Sequence, residues 1–252
     1  MNKLSLNRWP VCSASVFLLA FACPGLAQTS LSLNLDYAEG KYGEPEKSTT
    51  WTAPLIIKHQ EGALALKLNI PYVRATGLAA AGGDRFSSVK QVQTGLGDVV
   101  ATASYELPET FWGIVTELGV KAKIAAGDHK KDLITTGKHD YSAFADWSRQ
   151  LGAATAYVSL GWTHKGDPDG VDYRNPWFGG LGVSYQISPD LSAGVFYDYR
   201  QKVTPHGVPV SEVMYSLEKR LSARYKVVAY LVQGFSDASP DIGGGATLVV
   251  SY

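Results

Sequence analysis

Ile242-Gly243-Gly244-Gly245-Ala246-Thr247-Leu248-Val249-Val250-Ser251-Tyr252 closes the sequence, and its reading decides the fold. Taken alternately, Ile242, Gly244, Ala246, Leu248, Val250 and Tyr252 form one row; Gly243, Gly245, Thr247, Val249 and Ser251 form the other. Successive side chains of a strand point to opposite faces, so the first row suits lipid and the second a crowded or wet interior. The stretch therefore predicts a strand that closes a transmembrane β-barrel against the first strand of the chain. A terminal aromatic on such a strand, here Tyr252, is what the barrel-assembly machinery of the Gram-negative outer membrane engages, and that machinery is an expected partner.

The other end of the chain specifies the compartment. Lys3 and Arg8 precede an apolar run from Val11 to Ala22, Pro24 breaks any helix, and Gly25-Leu26-Ala27 supplies small residues for cleavage. This predicts a signal peptide over residues 1–27 and a mature barrel over 28–252. The run is about twelve residues, too short for a membrane helix that needs roughly twenty. Cys12 and Cys23 both fall in the leader, so no disulfide or thiol chemistry is expected of the barrel. Loss of Lys3 and Arg8 leaves 21 basic against 23 acidic residues, a balance that gives no electrostatic footprint for nucleic acid.

Between these ends the chain reads as short alternating segments. Leu31, Leu33, Leu35 and Tyr37 make one row of a first strand, and Trp51, Ala53, Leu55 and Ile57 one row of a second. Leu64, Leu66, Leu68 and Ile70 alternate with Ala63, Ala65, Lys67 and Asn69 in a third. The stretch Ala75 to Thr94 reads as a long mobile loop, followed by a strand from Gly95 to Glu106 and a turn at Pro108-Glu109-Thr110. The remaining segments bring the count to twelve, and in the one that holds the continuously apolar Val227 to Val232 no alternation sets the register. The expected fold is all-β: a transmembrane antiparallel up-and-down β-barrel of about twelve strands.

Two regularities support closure in a membrane. Connections alternate between tight turns, such as Glu61-Gly62 and Ser188-Pro189-Asp190, and longer loops, the asymmetry of periplasmic and extracellular ends. Aromatic residues fall at strand ends in two sets: Trp51, Trp162, Trp177, Tyr42, Tyr72 and Tyr141 outward, and Trp112, Trp147, Tyr105, Tyr185 and Tyr252 inward. Those are girdles for the two headgroup levels, where an amphipathic ring has one end wet. A soluble sandwich would hold its large aromatics mid-strand and leave sheet edges.

If the apolar rows face lipid, the opposite rows line the interior. The lumen-lining candidates are Asp36, Lys67, Asn69, Asp98, Glu117, Lys121, Lys123, Asp146, Asp198, Arg200 and Glu218, together with Lys58. Charge is tolerated inside a barrel wall and costs about 2–4 kcal/mol for Lys or Arg at the midplane outside it. A mixed-sign lining holds water and orients a polar solute; a mutually satisfied charge network that fills the interior has the same sequence pattern. Twelve strands lie between side-chain-filled small barrels and open porins, so size does not decide.

Gly95-Leu96-Gly97-Asp98, Val120-Lys121-Ala122-Lys123-Ile124-Ala125-Ala126-Gly127-Asp128 and Thr136-Gly137-Lys138-His139-Asp140-Tyr141 resemble the outer-membrane proteins grouped under the meta-pathway of phenol degradation. Gly166-Asp167-Pro168, Tyr197-Asp198-Tyr199-Arg200-Gln201 and Gly234 to Asp241 continue the likeness, which covers most of the chain from Gly95 onward. The family often has Pro-Thr-Gly-Asp where this sequence reads Ala125-Ala126-Gly127-Asp128, a departure at a loop edge. The resemblance implies an outer-membrane transporter or channel for small, hydrophobic or aromatic compounds, with no cofactor and no catalytic residues.

Two other chemistries are weighed. Asp167, Asp169 and Asp172 place three carboxylates on one loop, a set that suits Ca²⁺, although Pro168 and Gly170 also make it an ordinary turn, and no metal is expected. A hydrolase would need a histidine within reach of a serine or carboxylate, and His139-Asp140 beside Ser142 is the one suggestive cluster. The expectation is a non-enzymatic outer-membrane channel in contact with lipid and a small solute. The competing class is a non-conducting structural or surface-interaction barrel.

Overall fold

The computed structural model describes residues 28–81, 85–128, 131, 133–168, 170 and 172–252; the leader expected at 1–27 lies outside them. Strand formation follows the alternation. The strands are β1 (Gln28–Gly40), β2 (Ser48–Glu61), β3 (Leu64–Ala81), β4 (Arg85–Leu96), β5 (Val99–Thr110), β6 (Ile114–Ile124) and β7 (Asp140–Leu151). They continue as β8 (Ala154–His164), β9 (Trp177–Ser188), β10 (Leu191–Arg200), β11 (Val210–Arg220), β12 (Tyr225–Gly234) and β13 (Ile242–Ser251). Each pairs antiparallel with its chain neighbour, except that β5 pairs back to β3 beyond β4. β13 returns to β1 over the register Ser30↔Ser251 to Glu39↔Ile242, which closes the sheet. The result is a twelve-staved antiparallel barrel in which β4 and β5 share one stave.

That shared stave has a local cause. β3 pairs with β5 from Leu64 to Asn69 and with β4 from Tyr72 onward. Between the two ladders lies Pro71, which has no N–H to donate, while the Gly97 N–H reaches the Pro71 carbonyl at 2.9 Å. The stave breaks at Gly97-Asp98 and resumes. The expected mobile loop Ala75 to Thr94 is therefore corrected: most of it is strand, an upward extension of the β3–β4 hairpin past the level at which the other staves end. The turn expected at Pro108-Glu109-Thr110 also moves. β5 runs irregularly through it, and the chain reverses in a single 3-10 turn, Phe111–Gly113, with Trp112 left-handed at φ 68°.

The outer face is an apolar belt. Leu33, Leu35, Leu66, Val120, Leu160, Leu181, Val183, Leu217 and Leu231 are all exposed and all lie on the outward rows set by the strand register. Closure of β13 on β1 removes the sheet edge across the lipid span, where unpaired ladder groups would be costly, whereas β4 pairs on one side only, with β3. Trp51, Tyr72, Tyr141, Trp162 and Trp177 ring one end of the belt and Tyr105, Trp112, Tyr185 and Tyr252 the other, all exposed. Tyr42 departs from the expected girdle: it is buried in the β1–β2 loop, its ring near Gly40. A closed barrel with this belt and these girdles is an outer-membrane protein. Its five tight turns mark the periplasmic end and its long loops the outer end.

Candidate functional site in the lumen

The register converts the inward residues into stacked transverse rows, each about 6.7 Å from the next along a strand. One row carries carboxylates: Glu106, Glu117 and Asp146 are direct partners across β5, β6 and β7, and the row continues through Ser159 and Gly180 to Asp198 and Glu212. The next row outward runs Ser104, Gly119, Phe144, Gly161, Phe178 and Arg200. The third is basic: Lys58, Lys67, Thr102, Lys121 and Ser142. A fourth begins Ile56, Asn69, Val100, Lys123 and Asp140.

In the second row each phenylalanine lies on a glycine. A Cβ on Gly119 would overlap the Phe144 ring, and one on Gly161 would overlap the Phe178 ring. Two rows toward the tight-turn end, past the carboxylates, Gly182 stands in the same relation to Phe196. A bare backbone beside each ring lets it lie flat along the wall instead of projecting into the lumen. Phe196, Tyr157, Met214, Tyr230 and Val232 pack together on this side, so β8 to β12 give their half of the lumen an apolar cluster beside Asp198 and Glu212. The charged rows are densest on β2 to β7, the opposite half.

The two charged layers differ in how they are satisfied. Near the outer mouth the ions are closed into a network. Lys123 Nζ lies 2.9 Å from Asp98 Oδ2 and 3.4 Å from Asp140 Oδ2, and it donates to Thr136 Oγ1 at 2.8 Å. Lys165 Nζ meets Asp140 Oδ2 at 2.7 Å. Thr135 Oγ1 donates to Asp98 Oδ1, Leu133 N–H to Gln93 Oε1 and Lys131 Nζ to the Thr94 carbonyl. These bonds bend the β6–β7 connection inward over the mouth, with Ile134 and Thr135 buried. Burial lowers the Lys165 ammonium from its usual range, and the Asp140 carboxylate opposes that shift.

At the waist nothing is closed. Lys58, Lys67, Lys121, Glu106, Glu117 and Asp146 face one another, yet among the described residues no two of them approach within the 4.0 Å of an ion pair. Lys67 is enclosed by the wall but remains open to solvent. Thr102 Oγ1 and Asn69 Oδ1 are buried and, among the described residues, have no hydrogen-bond partner. Lys121 Nζ stands 5.8 Å from the centre of the Phe144 ring, in cation–π range.

All eleven lining candidates thus sit on the inward face or, for Asp98, in the stave break that opens onto it. Lys67, Glu117, Lys121 and Asp146 come together at the waist; Asp98 and Lys123 belong to the mouth network. Arg200 lies within electrostatic reach of Glu212 and Asp140, and Asp198 neighbours Glu212. Glu218 pairs with Lys226 at 3.1 Å. Asp36 accepts a 2.6 Å hydrogen bond from Tyr230 Oη across β13, above Gly245. The phenylalanine-on-glycine pairs, Glu106 and Thr102 escaped the sequence reading. Glu106 and Thr102 continue the inward alternation of β5, whereas the ring placements need the register itself.

Elsewhere the expected clusters take other forms. His139 Nδ1 accepts from the Ala125 N–H at 3.2 Å, Ser142 and Thr163 share a 2.9 Å hydrogen bond, and Asp140 is held by Lys165; among the described residues no hydrogen bond joins His139 to Asp140 or Ser142. Asp167 Oδ1 accepts from the Tyr173 N–H at 2.8 Å, while Asp169 lies outside the described residues. Among the described residues no group of three or more acidic, histidine or cysteine side chains is placed to hold a metal.

The sequence matches no family model and no curated protein. Solved structures do match. The COG4313 outer membrane channel from Pseudomonas putida F1 superposes with a TM-score of 0.71 at 15% identity, over 92% of this chain and 97% of that one. The NanC porin gives 0.54 at 10% identity, over 88% and 98% of the two chains. The KdgM porin in complex with disordered oligogalacturonate gives 0.53 at 11% identity, over the same shares. At such identities the likeness concerns the fold, and the fold is that of an outer-membrane β-barrel.

Proposed function

We propose that the barrel is a passive, non-enzymatic channel for small solutes. The observation that carries this reading is the waist, where six ionisable side chains share one half of the inward wall and, among the described residues, close no ion pair with one another. Charges left apart inside a membrane protein need water between them, because an unpaired charge in a dry interior costs several kcal/mol. Ionisable groups at membrane depth that face a cavity mark solute pathways. The apolar cluster in the lumen supports passage of solutes with an aromatic or aliphatic part, as the resemblance to the phenol meta-pathway proteins implies. On this reading Lys67, Glu117, Lys121, Asp198 and Arg200 set selectivity, and the inward-bent β6–β7 connection sets the width of the mouth. Tyr252 is proposed to engage the assembly machinery.

Planar-bilayer recording tests the proposal. Discrete conductance steps are expected, with reversal potentials in asymmetric salt that shift toward cations in Lys67→Gln and Lys121→Gln. A correctly folded barrel that stays silent in the bilayer rejects the channel.

A further inference from the structure

The basic row at the waist carries a more specific assignment, which rests on the channel reading only for solute access. We propose that Lys67, Lys121 and the Thr102 hydroxyl form a binding site for the carboxylate of a small aromatic acid, whose ring lies on Phe144.

Thr102 is the direct cross-strand partner of both lysines, Lys67 on β3 and Lys121 on β6, so two ammonium groups flank one hydroxyl in a single line. Lys58 extends the line as the partner of Lys67. Like charges placed directly opposite in a sheet are destabilising, and here they are stacked without an intervening carboxylate. The Thr102 Oγ1 is buried and has no partner among the described residues. A buried hydroxyl normally finds one, and an unsatisfied group in a native structure calls for an explanation. An anion between the lysines answers both observations, since it accepts from two ammoniums and one hydroxyl. Charge-assisted bonds of this kind are the strong ones.

The nearby carboxylates do not fill that role. Glu117 and Asp146 sit two inward positions along their strands, beyond the Gly119–Phe144 row, and neither reaches Lys67 or Lys121 as an ion pair. That intervening row determines what else the anion carries. Phe144 lies flat over Gly119, partly exposed, and the Lys121 ammonium stands over its ring face 5.8 Å from the centre. A carboxylate held at Thr102 places an attached ring against that face in an offset stack. In the mouth network, by contrast, Lys123 and Lys165 each have an aspartate and Lys131 has the Thr94 carbonyl, whereas Lys67 and Lys121 have no such acceptor among the described residues.

Equilibrium binding to the folded, detergent-solubilised barrel tests this, with benzoate as probe and benzyl alcohol and benzylamine as isosteres. Folding of each variant is verified by the heat-dependent gel mobility of closed barrels. Saturable benzoate binding is expected, about tenfold weaker in Lys67→Gln and in Lys121→Gln, the factor that corresponds to loss of one charge-assisted hydrogen bond. Thr102→Val weakens it as well, Phe144→Leu weakens benzoate more than acetate, and Lys47→Gln at the mouth leaves it unchanged. Wild-type preference for benzylamine or benzyl alcohol over benzoate overturns the assignment without any variant, as does equal affinity in the Lys67→Gln, Lys121→Gln double variant. Displacement of benzoate by chloride at equal concentration also overturns it, because the row would then be a general anion screen. Benzoate binding in a barrel that is silent in bilayers rejects the channel and keeps the site; conductance without benzoate discrimination does the reverse.

Discussion

Gly119, Gly161 and Gly182 hold their places because each has an aromatic ring where a side chain would begin. Replacing Gly119 with alanine forces the Phe144 ring off the wall and into the lumen, since the strand on the other side cannot yield. Single-channel conductance is expected to fall in Gly119→Ala and to recover in Gly119→Ala combined with Phe144→Ala, which bilayer recording checks directly. Gly245 acts differently. It leaves room for the Tyr230 hydroxyl to cross β13 and donate to Asp36. That bond ties β12 to β1 over the closing strand. Tyr230→Phe should lower stability by about 1.5–3 kcal/mol, the usual worth of a hydrogen bond to a charged group. Denaturant unfolding in lipid vesicles measures it.

Among the elements, the β6–β7 connection and the β3–β4 hairpin depend on each other. Between Leu96 and Val99 the ladder to β3 is reduced to the Gly97 N–H bond to Pro71, and the connection bonds beside it, Lys131 to Thr94, Leu133 to Gln93 and Thr135 to Asp98. Lys123 is the pivot, shared between Asp98, Asp140 and Thr136. Lys123→Ala leaves the buried Asp98 carboxylate without its cation, while Asp140 keeps Lys165, and breaking such a buried pair costs about 3–5 kcal/mol. The expected outcomes are a lower unfolding midpoint and longer, noisier open states as the connection leaves the mouth, both read by unfolding and bilayer recording. This region is also where the sequence was least legible. Residues spanning lipid must alternate strictly, which made the rows of β1, β2, β6 and β13 readable without a structure. The hairpin extension carries no such demand, and its Ala79-Ala80-Ala81-Gly82-Gly83 run resembles a loop in composition. Likewise, the turn after β5 rests on a left-handed Trp112, a conformation that favours glycine and that no local rule would place there.

For the whole molecule, sidedness was legible and height was not. Alternation alone assigns Lys67, Glu117 and Lys121 to the interior, but which of them stand in one row depends on the stagger of the closed barrel. That stagger puts Lys67 beside Thr102 and separates the carboxylate and lysine rows by an aromatic layer, a relation between residues far apart in the chain. The sidedness itself is open to a test in which two adjacent residues answer oppositely. Leu160 on β8 is exposed on the outward row near the middle of its strand, while Ser159 points inward. Leu160→Arg places a guanidinium in hydrocarbon and should lower folding free energy in vesicles by about 2–4 kcal/mol. Ser159→Arg places the same group in the carboxylate row, between Asp146 on β7 and the Asp198 carboxylate that leans over Gly180. There it gains two acceptors, so folding should be tolerated while conductance falls. Urea titrations in vesicles of matched thickness compare the two variants. Equal destabilisation by both, or a worse effect from Ser159→Arg, would mean that the rows have been assigned to the wrong faces of the wall.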